Sequence, residues 1–363
     1  MAPTATTTVT PSPRIGDYSG PEVWAYHAYW MGEAWRLYDL AAFRRILFFD
    51  LIAGPDGSLP ERHGWPSKWE DLRRRAAEAR VPVDPVVSVI GKPAFSAIFA
   101  SREARARLVA EIAAVAAESG GVHLDVEIFE PVRFEEVQAF RAFIGSLRSA
   151  LDAPPRKVLT AFVATSSGLY GAEELRHLDA VVVQGYDVHW REAPTAGPVA
   201  SLDADSAAAW RPAAEALARQ GVPPARIVFS TPLYGYEWPT VSADARAATR
   251  GPGATITYAP LPPSLLPDLR VNALARSAEH GLRREAGSRS PWYAFNDGSG
   301  WRQGWFDDAA SLAPRLDFVR DGGYRGVALF VLGYDGGTLL EAIQARFREG
   351  SSPAAASSPP AAR

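Results

Sequence analysis

No cysteine occurs anywhere in the 363 residues. Disulfides, thiolate metal sites and thiol nucleophiles are therefore excluded, and the chain can fold in either redox compartment. Histidine is scarce as well: His27, His63, His123, His177, His189 and His280 show no HxxxH or comparable ligand spacing, so neither a metal nor another cofactor is expected. An excess of positive charge is missing, since 38 Lys and Arg stand against 41 Asp and Glu for a formal net charge of −3. That balance lacks the basic footprint a nucleic-acid backbone requires, and Arg73, Arg74 and Arg75 sit among acids and alanines as the solvated face of a helix would. No apolar run is long enough to suggest a membrane span. The opening MAPTATTTVTPSP lacks the basic and apolar regions of a signal peptide.

With 47% hydrophobic and 22% charged residues, the composition is that of a soluble globular protein. Residues 1–20 and 350–363 are poor in core-forming types and read as disordered linkers. Between them, eight β-prone runs (23–30, 46–52, 83–91, 121–127, 157–165, 178–190, 226–238 and 324–335) alternate with amphipathic helical patterns. One such helix follows Ser101, a plausible N-cap, and ends before Gly120. Eight strands separated by helices predict an α/β fold, a (β/α)8 TIM barrel with helices outside. Residues 21–238 would supply strands 1 to 7 and residues 306–349 the closure with strand 8. Residues 239–305 are too long for a β/α connection and predict a small α+β insertion between strand 7 and its helix.

Within strand 4, GGVHLDVEIFEP places His123, Asp125 and Glu127 on one face and Val122, Leu124, Val126 and Ile128 on the other. An antiparallel edge strand with one wet face would show the same alternation. In a barrel, however, the apolar face meets the helices and the ionisable face points inward. Glu127 then lies at the C-terminal mouth, where barrel enzymes carry their chemistry. Two buried carboxylates without a task would cost several kcal/mol in desolvation, which favours a functional site. Aromatic residues are plentiful, with 11 tryptophans, and Trp30, Trp190, Trp238 and Tyr334 stand at strand ends where sugar rings could stack.

These motifs resemble glycoside hydrolase family 18, the chitinase-like barrels. GGVHLDVE is similar to that family's DGxDxDxE, with Asp125 and Glu127 in the last acidic positions. AYHAYW on strand 1, QGYDVHW after strand 6, PLYGYEW on strand 7 and LGYD on strand 8 match further family motifs in order, over residues 23 to 337. PLYGYEW also resembles bacterial spore-cortex members that act on peptidoglycan. The resemblance implies retaining hydrolysis assisted by the substrate's own 2-acetamido group. Glu127 would be the general acid, Asp125 would hold the acetamide N–H, and the Tyr186 hydroxyl its oxygen. Tyr26, Trp30, Gln184, Asp187, Trp190, Tyr234, Trp238 and Phe330 would contact the sugar.

The chain departs from the family pattern at three places. Gly120 replaces the first Asp of the strand-4 motif, and His123 stands where relatives usually carry Asp. If cationic, His123 would keep Asp125 ionised and lower the pKa of Glu127. Phe330 takes the place of a tryptophan that floors the sugar. The resulting expectation is a monomeric glycosidase acting on oligo- or polysaccharides containing N-acetylglucosamine, with chitin or its oligomers first and peptidoglycan or N-glycans as alternatives. A non-catalytic lectin on the same fold is the rival from another class, disfavoured by the presence of Glu127. A polymeric substrate favours an extracellular or cell-envelope setting.

Overall fold

The computed structural model of the protein describes residues 20–349 apart from 129, 205, 263, 264, 267 and 268. Of the linkers expected at residues 1–20 and 350–363, all but Gly20 lie outside the described residues. The first seven strands are β1 (Glu22–Ala28), β2 (Arg45–Ile52), β3 (Val83–Ile90), β4 (Gly121–Glu127), β5 (Val158–Val163), β6 (Ala180–Val183) and β7 (Ile227–Pro232). They are followed by β8 (Tyr234–Thr240), β9 (Ala254–Thr257), β10 (Arg283–Arg284), β11 (Pro291–Asn296), β12 (Trp301–Trp305) and β13 (Gly326–Phe330). Strands β1 to β7 and β13 form a closed parallel barrel in the order β1-β13-β7-β6-β5-β4-β3-β2, the (β/α)8 architecture expected. A second, antiparallel sheet has the order β10-β11-β12-β8-β9. Together with the helix Ala273–His280, it forms the α+β insertion between β7 and the helix Ala309–Asp321.

The expected strand over 226–238 is two strands. Pro232 is the last residue paired in the barrel, opposite Phe330, and Leu233 donates its N–H to the Phe330 carbonyl at 2.6 Å. Beyond it, β8 pairs antiparallel with β12 and β9, so the second sheet takes in residues from Tyr234 onward rather than from 239. Leu233 thus makes the last hydrogen bond to β13, and the chain turns out of the barrel into β8 immediately after it. Strand 6 is also shorter than the β-prone run: residues 184–190 form the loop at the mouth.

The helix Arg102–Ser119 shows how the local sequence sets up β4. Ser101 caps it by accepting a hydrogen bond from the Ala104 N–H at 3.1 Å, and Gly120 ends it in the left-handed region at φ 91°. Gly121 then starts β4, and a Cβ there would lie 2.7 Å from the Asp84 carboxylate. Any larger residue there would have to displace the buried Asp84 carboxylate. Val122, Leu124 and Val126 are buried on the helix side of β4, which packs against this helix. Ser101→Ala removes the cap and should cost about 1 kcal/mol, read as a lower urea midpoint with an unchanged m-value.

At the opposite end of the barrel from the mouth, Arg45 of β2 forms a buried ion pair with Asp84 of β3 and lies over the Trp24 ring at 5.4 Å. Arg45 and Asp84 fill the barrel floor beneath the inward residues of β4. Among the described residues, no helix is long and apolar enough to cross a membrane.

Candidate active site

Four inward positions of β4 run from floor to mouth: Gly121, His123, Asp125 and Glu127. Strand register puts His123 beside Val86 of β3 and Thr160 of β5, Asp125 beside Ser88, and Glu127 beside Ile90.

His123 is fully buried. Its Nε2 lies 3.0 Å from the Tyr26 hydroxyl and its Nδ1 2.8 Å from the Thr160 hydroxyl. Burial, reinforced by the positive charge of Arg45 below, pushes its pKa down to about 3. The histidine is therefore a neutral hydrogen-bonding spacer near neutral pH. This corrects the cationic role considered from sequence, because removal from water penalises the imidazolium and the charge that acts on it, Arg45, is itself positive.

Asp125 is 4% exposed, and its Oδ1 has no hydrogen-bond partner among the described residues. Its carboxyl is pushed well above the usual range, by burial first and then by the charges of Glu127 and Asp50. Glu127, half-buried at the strand end, is also raised, by burial and then by Asp50 and Asp187. No cation is among the causes for either group. Asp187, in the loop after β6, accepts hydrogen bonds on Oδ1 from the hydroxyls of Tyr234 at 2.7 Å and Tyr236 at 3.3 Å. Burial, offset in part by those two bonds, leaves its pKa at about 6.

Phe330 of β13 lies at the centre of the apolar part of the well. Its ring stacks at 5.8 Å on Tyr186, and edge contacts reach Tyr26 at 5.4 Å, Phe49 at 5.7 Å and Tyr234 at 6.4 Å. Tyr186 is only half-buried, and Gln184, two residues earlier, is likewise partly open at the end of β6. Trp30 packs edge-on to Phe49 at 5.8 Å and donates its Nε1–H to the Tyr334 hydroxyl at 3.3 Å. Trp190 is 52% exposed on the loop after β6.

Trp238 behaves differently from the expectation. It is fully buried and donates its Nε1–H to the Arg191 carbonyl at 3.0 Å. Because β8 leaves the barrel for the second sheet, its tryptophan anchors the mouth loop to that sheet and offers no face to a ligand. Three residues of the well were not singled out from sequence: Phe49, Asp50 and Ser88. The available signal for Asp50 is a single acid inside the apolar run RILFFDLI of β2. Among the described residues, no cluster of His, Asp or Glu is arranged to hold a metal ion.

Carboxyl groups whose pKa values are raised by burial and by neighbouring negative charge, beside a ring of aromatics at the C-terminal mouth of a (β/α)8 barrel, form a layout suited to proton transfer on a bound sugar. The sequence profile of the glycosyl hydrolases family 18 matches residues 64–335, and the chain belongs to that family. Tyr26, Trp30 and Asp50 precede the matched segment. A curated relative, the cortical fragment-lytic enzyme of Bacillus anthracis, is 23% identical over 306 residues. That match covers 79% of this chain and 64% of the relative, so the chain spans less than two thirds of the relative's length. Among solved structures, a family 18 chitinase from Cycas revoluta in complex with (GlcNAc)3 superposes with a TM-score of 0.75 at 17% identity, covering 90% of this chain and 99% of that one. The spore cortex-lytic enzyme SleL of Bacillus cereus superposes with a TM-score of 0.67 at 18% identity, covering 89% and 75% respectively.

Proposed function

We propose that the protein is a retaining glycosidase that cleaves β-1,4 linkages on the reducing side of N-acetylglucosamine by substrate-assisted catalysis. The observation that carries this reading is the pairing on one inward face: Asp125 enclosed, Glu127 at the opening, and both held above the ordinary carboxylate range by burial and neighbouring negative charge.

In this scheme protonated Glu127 donates its proton to the glycosidic oxygen as the C1–O bond breaks. The carbonyl oxygen of the substrate's 2-acetamido group attacks C1, giving an oxazolinium ion, and the aglycone leaves as a neutral alcohol. Glutamate 127, now ionised, takes a proton from water, whose oxygen opens the ring at C1 and restores the acetamide. Asp125 orients the acetamide N–H and offsets the positive charge of the oxazolinium ion. Tyr186, its hydroxyl kept protonated by burial, donates to the acetamide oxygen. Phe330 provides the apolar floor and Trp190 an open stacking face, with Trp30, Tyr26, Tyr234, Gln184 and Asp187 lining the remainder.

Chitin oligosaccharides supply this linkage directly. Spore-cortex peptidoglycan is the second substrate class, favoured by the similarity to the cortical fragment-lytic enzymes. Both contain N-acetylglucosamine followed by a β-1,4 bond. Incubation with chitin oligomers, cortex peptidoglycan fragments and a high-mannose glycopeptide, with products identified by mass spectrometry, tests the assignment. Cleavage of either of the first two is expected and names the substrate class. Binding of one of them without any product would instead support a lectin.

A further inference from the structure

Asp50 lies near the C-terminal end of β2 and is 2% exposed. In the first part of β2 the inward residues have odd numbers, since Arg45 pairs with Trp24 and Leu47 with Asp84. The pairing with β3 then slips between Phe48 and Leu51, and Ile52 comes to lie opposite Ser88. A slip of this kind reverses which alternate residues face inward, so Asp50 turns into the barrel beside Phe49 instead of outward to the helices. Ser88 is also the register partner of Asp125. Asp50, Ser88 and Asp125 thus occupy consecutive positions around the barrel wall on β2, β3 and β4.

The charges around Asp50 come from every side of the well. His63, in the loop after β2, approaches the Asp50 carbonyl with Nδ1 at 2.8 Å and the Asp50 carboxylate at 3.5 Å. Glu61 of the same loop adds a negative charge, and Ser88 faces the carboxyl without a hydrogen bond of good geometry. Asp125 and Glu127, on β4 one strand beyond β3, both feel the Asp50 charge, while Tyr26 stands on the adjoining strand β1 and Tyr186 on the loop after β6. Asp187 faces Glu127 from the loop after β6. Arg45 is engaged at the floor with Asp84. Oδ2 of Asp50 and Oδ1 of Asp125 are buried without hydrogen-bond partners among the described residues.

Strand β4 carries a neutral histidine where the strand-4 pattern has a further carboxylate. We propose that Asp50 is a positioning residue of the active site, supplying from β2 the carboxylate that β4 lacks at position 123. In its ionised form Asp50 disfavours a second negative charge on Glu127 and so favours the protonated acid there. The inference rests on the assignment of Glu127 as the acid, but its test does not require turnover.

The test is a pH titration of 13C-carboxyl resonances in protein labelled on Asp and Glu, with the Glu127 signal identified by its loss in Glu127→Gln. In Asp50→Asn the Glu127 midpoint should move to lower pH by about one pH unit, because a like charge has been removed. In the double variant Asp50→Asn/His123→Asp it should return toward the wild-type value. If the Asn variant does not fold, Asp50→Ser carries the same expectation. An unchanged Glu127 midpoint in a folded Asp50 variant overturns the proposal. A shifted midpoint in a protein that cleaves none of the glycans above sustains the electrostatic role and removes the hydrolase reading instead.

Discussion

Glu127→Gln should lower kcat by about 10³-fold on whichever glycan the wild type cleaves, because in the proposed mechanism it removes the proton donor while keeping the shape of the side chain. Affinity for the oligosaccharide, measured by calorimetry, should stay within about threefold, since the aromatic floor and mouth are untouched. Stability should not fall. The folded-state pKa of Glu127 is raised by burial and by the charges of Asp50 and Asp187. A carboxyl raised in this way contributes stability below its unfolded pKa and loses it as the pH climbs through the folded value. At neutral pH an amide avoids that loss, so the melting temperature of the variant should equal or exceed that of the wild type. Turnover near the wild-type rate would assign proton transfer to another group.

The second large effect lies at the other end of the barrel. Arg45→Ala should destabilise the protein by about 3–5 kcal/mol in urea unfolding, because it leaves the Asp84 carboxylate buried without its ion-pair partner. A carboxylate orphaned in this way escapes part of the cost by binding a proton, so the deficit should be smaller in acid and grow as the pH rises. Pairing Arg45→Met with Asp84→Leu should recover most of the loss, since two apolar side chains can replace a buried ion pair at little cost. A single variant as stable as wild type would mean that water reaches the barrel floor.

The barrel itself was legible because its strands carry a consistent code. Each β-prone run is apolar on the face that meets the helices, and the helices between them show their own period and caps, as at Ser101 and Gly120. The inward face of β4 was readable for the same reason, since a period of two separates His123, Asp125 and Glu127 from Val122, Leu124 and Val126. The handover from β7 to β8 was not. The run TPLYGYEW keeps its β-prone character across Leu233, and its alternation does not mark the change of sheet. Trp238 was consequently expected at the mouth, whereas it is buried beneath the loop that carries Arg191.

Two electrostatic features also lay beyond the sequence. The charge state of His123 depends on complete burial above Arg45, a residue contributed by another strand. Asp50 depends on a slip in register, and strict alternation in RILFFDLI would have sent it outward with Phe48. Neither a residue's dielectric surroundings nor an irregular pairing is written in its nearest neighbours.

The central claim is that Glu127 donates the proton while the substrate's own acetamide attacks the anomeric carbon. Digestion of partially deacetylated chitosan, followed by mass-spectrometric sequencing of the products, tests it most directly. Every newly formed reducing end should be N-acetylglucosamine, because only that sugar carries the internal nucleophile. New reducing ends of unacetylated glucosamine, appearing in proportion to their abundance in the polymer, would contradict the mechanism.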